Sequence, residues 1–243
     1  MKMIKTLVAA AAMMACASSF ATTVLLGGES PDLQQVINNL YTAAGTPLSA
    51  APDVNANQAS EDGRFRIEAS GGSVATMVIE VAGRSSTNTF GIYDVNDPTR
   101  YLQLFSGAGA SGDQAFLSVT DTFRFSANGV SSQFTSATFG YYMGTANGPV
   151  LYSQALLNGG NDQMVAYQGD GDTIKLPTRP AGVWGPSSYI LGWEDTLLSA
   201  GSDRDYQDMV VYVESVTRVP EPGTIALMGL AGLGLALSRR RRS

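Results

Sequence analysis

Apolar positions recur along this chain with two different periods, and at each end with none. Leu33, Val36, Ile37, Leu40 and Tyr41 are spaced by three and four, the repeat of one helical face. The pattern predicts a helix over about residues 31–43, with Ser30 as its cap and Pro31 in the first turn. Gly45-Thr46-Pro47 ends it. Residues 50–63 are small and polar and read as a surface loop. From Arg64 onward the period shortens to two, and short apolar runs alternate with turn residues. Strands are predicted over 64–69, 73–82, 87–93, 100–105, 115–126, 132–143, 150–152, 163–168, 188–193 and 206–217. Asp94 to Pro98 and Asn128-Gly129 are turn signals, the second that of a tight hairpin. Many short strands with little helix predict a mainly β fold. The expected form is an antiparallel β-sandwich or jelly-roll-like domain with one N-terminal helix.

The two ends carry continuous apolar runs instead. Lys2 and Lys5 precede an uncharged stretch from Leu7 to Ala17, and Ser19 and Ala21 suit a signal peptidase site. Cleavage is expected between Ala21 and Thr22. Cys16, the single cysteine, falls within this leader, in a context that makes a poor lipoprotein signal. A mature chain starting at Thr22 has no thiol for catalysis, disulfides or metal binding. At the other end come Pro220-Glu221-Pro222, then 16 uncharged residues from Gly223 to Ser238, then Arg239, Arg240, Arg241 and Arg242. As a helix the uncharged run spans about 24 Å, short of a full bilayer core, and the arginines can snorkel to lengthen it. Four arginines stay cytoplasmic and place the rest of the chain outside the inner membrane. The chain therefore divides into a signal peptide (1–21), a β domain (22–219) and a C-terminal segment (220–243) with a transmembrane helix at 223–238.

Charge narrows the function further. The formal net charge is −6, but the positive ends mask a more acidic middle. Residues 22–219 hold 9 Lys+Arg and 20 Asp+Glu, a net of −11. Such a surface disfavours nucleic acid and anionic lipid and suits divalent cations. Histidine is absent. Ser-His-Asp triads, His-ligated zinc and imidazole acid–base chemistry are thereby excluded.

The acids are unevenly placed. Glu194-Asp195 is followed by Gly201-Ser202-Asp203-Arg204-Asp205-Tyr206-Gln207-Asp208. Glu194, Asp195, Asp203, Asp205 and Asp208 fall within fifteen residues. In a tight turn they can supply the several oxygens that calcium requires, although the spacing is not that of an EF-hand. Asp and Asn also cap turns, so the same residues have a purely structural reading. Asp162, Asp170 and Asp172 form a second acidic stretch. Trp184, Tyr189 and Trp193 suggest either an aromatic platform for sugars or ordinary core. The glycine run 107–112 lacks the lysine and helix of a phosphate loop.

Two family resemblances attach to these residues. The ordered tail of Pro-Glu-Pro, apolar run and arginine cluster resembles the PEP-CTERM sorting signal of Gram-negative bacteria that make exopolysaccharide. That resemblance implies recognition by exosortase, a membrane-embedded cysteine protease-transpeptidase. Cleavage is then expected near Val219, Pro220, Glu221 and Pro222, with the alternative that the tail stays as an anchor. The run W-E-D-T, then G-S-D-R-D-Y-Q-D before an apolar strand, resembles the end of an uncharacterised β-rich domain of bacterial surface proteins. F-G-I-Y-D at 90–94, L-F-S-G at 104–107, L-Y-S-Q-A-L-L-N at 151–158 and D-Q-M-V-A-Y at 162–167 extend that resemblance. Gln163 and Thr196 depart from its pattern, standing where a histidine and a leucine are usual.

The expected function is a non-enzymatic protein of the cell surface or extracellular matrix, exported, briefly anchored in the inner membrane and stabilised by calcium. Its expected partners are signal peptidase, exosortase and exopolysaccharide. Two alternatives stand beside it: a carbohydrate-binding module for exopolysaccharide, and a glycan-processing enzyme using paired carboxylates.

Overall fold

The helix starts two residues later than its pattern suggests, and a different residue caps it. In the computed structural model, described over residues 22–68, 72–80, 87–107, 109–145, 148 and 150–220, helix α1 runs Leu33–Ala44. Asp32, not Ser30, is the N-cap: its carboxylate accepts the Gln35 amide at 2.8 Å. The Gln35 side chain in turn accepts the Asp32 amide at 3.2 Å, closing a capping box. The Ser30–Pro31 bond is cis, and Pro31 lies outside the helix. Gly45, left-handed at φ 76°, ends it. Leu33, Val36, Ile37, Leu40 and Tyr41 are all buried, as their spacing predicted.

Fifteen strands are described: β1 Phe65–Ile67, β2 Ser73–Glu80, β3 Thr89–Asp94, β4 Asp97–Phe105, β5 Gln114–Val119, β6 Arg124–Ala127, β7 Val130–Gln133, β8 Phe139–Gly144, β9 Val150–Tyr152, β10 Met164–Gln168, β11 Thr173–Ile174, β12 Gly182–Val183, β13 Ser188–Trp193, β14 Met209–Glu214 and β15 Val216–Arg218. One sheet has the order β15-β1-β8-β3-β4, with β9 also on β8; the other has the order β10-β13-β14-β2-β5-β6-β7. Every strand pairing described is antiparallel. β11 and β12 form a small ribbon of their own.

Three predicted strands are each two elements. The run 115–126 breaks into β5 and β6 around Thr120–Phe123, where Phe123 has φ 62°. The run 132–143 breaks where buried Asp94 accepts the Thr135 amide at 2.6 Å and pins the β7–β8 connection. The run 206–217 contains β14 and β15, which belong to different sheets. Ser215, at φ 61°, sits at the switch. The Asn128-Gly129 hairpin joins β6 to β7 with both residues at positive φ, 54° and 78°. That is the geometry a two-residue hairpin favours.

Two cores result. The first fills the space between the sheets: Phe65, Phe90, Ile92, Tyr141 and Met143 from one meet Met77, Tyr189, Leu191, Trp193 and Val211 from the other. Phe65 contacts Tyr189 with centroids 5.5 Å apart, and Phe90 contacts Trp193 at 6.1 Å. The second lies between α1 and the outer face of the larger sheet, where Val78, Val165, Tyr167, Ile190, Val210 and Tyr212 meet the helix. β13 and β14 are therefore covered on both faces, which explains their nearly unbroken apolar sequences. Each core side chain so covered contributes about 1.5–3 kcal/mol. Trp184, Tyr189 and Trp193 are 1%, 1% and 0% exposed, so they are core and offer no platform to a sugar.

Residues Ala21–Val219 group as one compact unit. At its end the Val219 amide donates to the Arg64 carbonyl at 2.9 Å, and Pro220 is exposed. Ala21, Glu221, Pro222, the run 223–238 and Arg239 to Arg242 lie outside the described residues. Among the described residues no helix is long and apolar enough to cross a membrane.

Candidate metal centre

β13 and β14 are neighbours, with Trp193 opposite Met209. The chain between them, Glu194 to Asp208, closes one end of the larger sheet. Gln163 fixes this loop from beneath. Fully buried, it donates to the Thr196 carbonyl at 2.8 Å and accepts the Leu198 amide at 2.9 Å. The position that departs from the usual histidine is thus a splint for the acidic loop.

Glu194, Asp203 and Asp205 come together: one carboxylate oxygen from each lies within 4.8 Å of the others. Oxygens on a single calcium ion sit 2.3–2.6 Å from it, so ligands on opposite sides are separated by about 5 Å. The three acids therefore fit one coordination sphere. Glu194 and Asp205 are 0% and 2% exposed, while Asp203 is open to solvent. The centre has a buried floor and an accessible rim.

Local bonding explains how the acids are aimed. Glu194 Oε1 accepts the Tyr206 amide at 2.8 Å, and its other oxygen accepts the Ser202 hydroxyl. Ser202 also accepts the Arg204 amide at 2.9 Å. Arg204 and Tyr206 are left-handed, at φ 62° and 54°, and curl the backbone around Asp205. Non-glycine residues in that region carry strain, which proteins tend to store at functional sites. Asp205 accepts the Gln207 amide at 3.3 Å and the Gln207 side-chain nitrogen at 2.8 Å. Gly192 is needed here: a Cβ on it would lie 2.6 Å from the Tyr206 carbonyl oxygen.

Asp195 and Asp208 stand apart from this trio. Asp208 Oδ2 accepts the Asp195 amide at 2.7 Å, the capping role that an aspartate in a turn often takes. Asp195 faces buried Asn88, whose side-chain nitrogen donates to it at 3.2 Å, and it also accepts the Thr196 hydroxyl at 3.1 Å. Asp170 and Asp172 belong elsewhere. Asp170 accepts the Asp172 amide at 3.1 Å, and Asp172 accepts the Tyr41 hydroxyl at 3.2 Å. Asp162 lends its backbone carbonyl to the Tyr206 hydroxyl at 2.6 Å.

Among the described residues no cationic side chain is ion-paired with the acids of this loop. Among the described residues the ion pairs are Arg100–Asp97 and Arg179–Glu214, neither at this loop. Burial raises the Glu194 carboxyl to about 7, opposed by the Ser202 and Tyr206 hydrogen bonds and assisted by Asp203 and Asp205. Burial also lifts Asp208 to about 8, with Asp195, Glu194 and Asp205 adding to the rise against the Asp195 amide. Asp205 is raised too, first by burial. Such groups take a proton or a cation to relieve their charge. Among the described residues, four buried side-chain atoms have no hydrogen-bond partner: Thr76 Oγ1, Asn88 Oδ1, Trp193 Nε1 and Gln207 Oε1. Gln207 and Asn88 touch the acids directly.

Ser202 and Gln207 lie inside the acidic run of the sequence, but only the folded turn shows that they steer it. Asn88 is remote in sequence, and nothing local marks it.

Fold and loop define a mainly β domain of antiparallel sheets closed at one end by an acidic turn. Residues 122–216 match the domain of unknown function DUF4114, and residues 218–242 match the PEP-CTERM protein-sorting motif. The chain thus carries an uncharacterised β-rich domain followed by a signal for sorting by exosortase. That motif marks a secreted protein, anchored transiently in the membrane and sorted to the cell surface. No curated protein matches the chain. The matched domain includes the whole loop Glu194 to Asp208 but not all of its own sheet, since β2 lies between β14 and β5. The W-E-D-T and D-R-D-Y-Q-D runs fall inside the match, and F-G-I-Y-D and L-F-S-G precede it.

Proposed function

We propose that this is a non-enzymatic protein of the cell surface or exopolysaccharide matrix, built as a β-sandwich whose closing turn is stabilised by calcium. The observation that carries the reading is the convergence of Glu194, Asp203 and Asp205 within 4.8 Å, with no cationic side chain among the described residues paired to them. Two of the three are buried, so the charge they share is costly without an ion. Glycosidase carboxylates stand about 5–9 Å apart across a sugar, whereas these three fit around a single ion. The carbohydrate-module reading loses its main support, because the tryptophans that suggested it are core.

Calcium titration with thermal melting tests the proposal. Saturation at about a hundred times the dissociation constant stabilises a folded protein by about 2.7 kcal/mol. For a domain of this size that is a rise in Tm of roughly 5–10 °C. An unchanged Tm at millimolar calcium overturns the metal reading. Export and sorting are tested separately. After passage through a host with an active exosortase, mass spectrometry is expected to find a chain that begins at Thr22 and ends near Val219. A surface chain still ending in Ser243 overturns the processing.

A further inference from the structure

The acidic turn is gripped by a part of the chain far from it in sequence. The strap of residues 22–29, which follows the expected signal cleavage, lies along it. The Leu25 amide donates to the Arg204 carbonyl at 2.8 Å, and the Thr22 hydroxyl lies 3.2 Å from that of Tyr206. At the strap's far end is Glu29, exposed to solvent. Its Oε2 accepts the Gln207 side-chain nitrogen at 3.4 Å, and the same nitrogen donates to Asp205 Oδ2 at 2.8 Å. One amide NH₂ therefore spans the two carboxylates, and about 6 Å at most separates their oxygens.

Gln207 supplies a second and separate observation. It is 1% exposed, and its Oε1 has no partner. That oxygen shares a carbon with the nitrogen that touches Asp205 and Glu29, so a turn of the amide plane brings it to face them. A buried carbonyl oxygen without a donor is rare and calls for an explanation. Amide oxygens are also regular calcium ligands.

We propose that Glu29 is a fourth carboxylate ligand of the calcium held by Glu194, Asp203 and Asp205, with the Gln207 amide oxygen as a neutral ligand. Calcium then takes over from the Gln207 NH₂ the task of compensating two carboxylates, and the amide turns its oxygen to the ion. Waters complete the six to eight oxygens. The ion clamps the strap that begins the mature chain to the turn that ends the larger sheet. Glu29 lies outside the matched domain, so the clamp joins residues 122–216 to a segment that precedes them. The inference rests on the calcium reading of the turn.

Isothermal titration of the full-length chain with calcium chloride, in detergent, separates the two ideas. Glu29→Gln is expected to weaken calcium binding about tenfold, since affinity follows ligand charge. Asp121→Asn removes the same charge from the exposed β5–β6 turn and is expected to leave affinity unchanged. Calcium should also slow limited proteolysis within residues 22–29 of the wild-type chain, and fail to do so in Glu29→Gln. If the wild type binds calcium and Glu29→Gln binds equally well, the clamp is overturned and the three-acid site stands. If the wild type binds no calcium, both fall.

Discussion

Glu194 and Asp208 are both acids with carboxyls raised by burial, yet they do different work. Glu194 faces Asp203 and Asp205; Asp208 caps the Asp195 amide. Substitution by the isosteric amide distinguishes them. Glu194→Gln keeps an acceptor for the Tyr206 amide, so the fold is expected to survive while the calcium-induced rise in Tm disappears. Asp208→Asn also keeps an acceptor for Asp195 and removes a half-buried charge. Without calcium at pH 8 it is expected to raise Tm by about 2–4 °C, the equivalent of roughly 1 kcal/mol. It should leave the calcium response in place. Melting curves of the two variants with and without calcium provide the check, and a lost calcium response in Asp208→Asn would move that residue into the ligand set.

The elements around the loop set its shape, and each has a substitution that reports on it. Gly192→Ala drives a methyl group against the Tyr206 carbonyl, which is backbone and cannot swing aside. It is expected to cost about 1–3 kcal/mol and to weaken calcium binding, because Tyr206 follows Asp205 directly. Asp32→Ala removes the cap of α1 and should cost about 1 kcal/mol with no effect on calcium. Urea denaturation alongside calcium titration of both variants tests this pairing; equal losses of calcium affinity would contradict it. These elements were unequally legible in the sequence. β9 and β13 appear at their predicted limits, since alternation and bounding turns agree there. β5 and β6 merged in the prediction because their turn, Thr120 to Phe123, contains no glycine or proline. β14 and β15 merged because one residue, Ser215, separates them, and this single left-handed serine carries the chain between sheets. Position in sequence marked all five acids of the loop, but not which would meet. Glu194 and Asp195 are adjacent, and the first turns to the acidic trio while the second turns to Asn88. Nothing local marks Glu29, because its contact with Gln207, 178 residues away, forms only when the strap packs against the turn.

Across the molecule, buried carboxyls govern how stability responds to pH. Glu194 titrates near 7, Asp208 near 8 and Asp162 near 6, each raised first by burial. Asp62 is also raised, by burial and then by the charge of Asp162. In the unfolded chain these groups titrate near 4. Between pH 4 and 8 the folded protein therefore holds more protons than the unfolded one. Stability from these groups is fully present below about pH 4 and is lost as pH rises through 6 to 8. The net charge of −11 on residues 22–219 adds self-repulsion in the same direction. On the calcium proposal the ion competes with those protons for the carboxylates of the turn, so its benefit should grow with pH. In chelator, Tm is expected to fall steadily from pH 5 to pH 8. Millimolar calcium should restore it, with a larger gain at pH 8 than at pH 5. Scanning calorimetry at pH 5, 6.5 and 8, with and without calcium, reads both slopes. A calcium-free Tm that climbs with pH would mean that these carboxyls are charged and satisfied in the fold, and the turn would then need no ion.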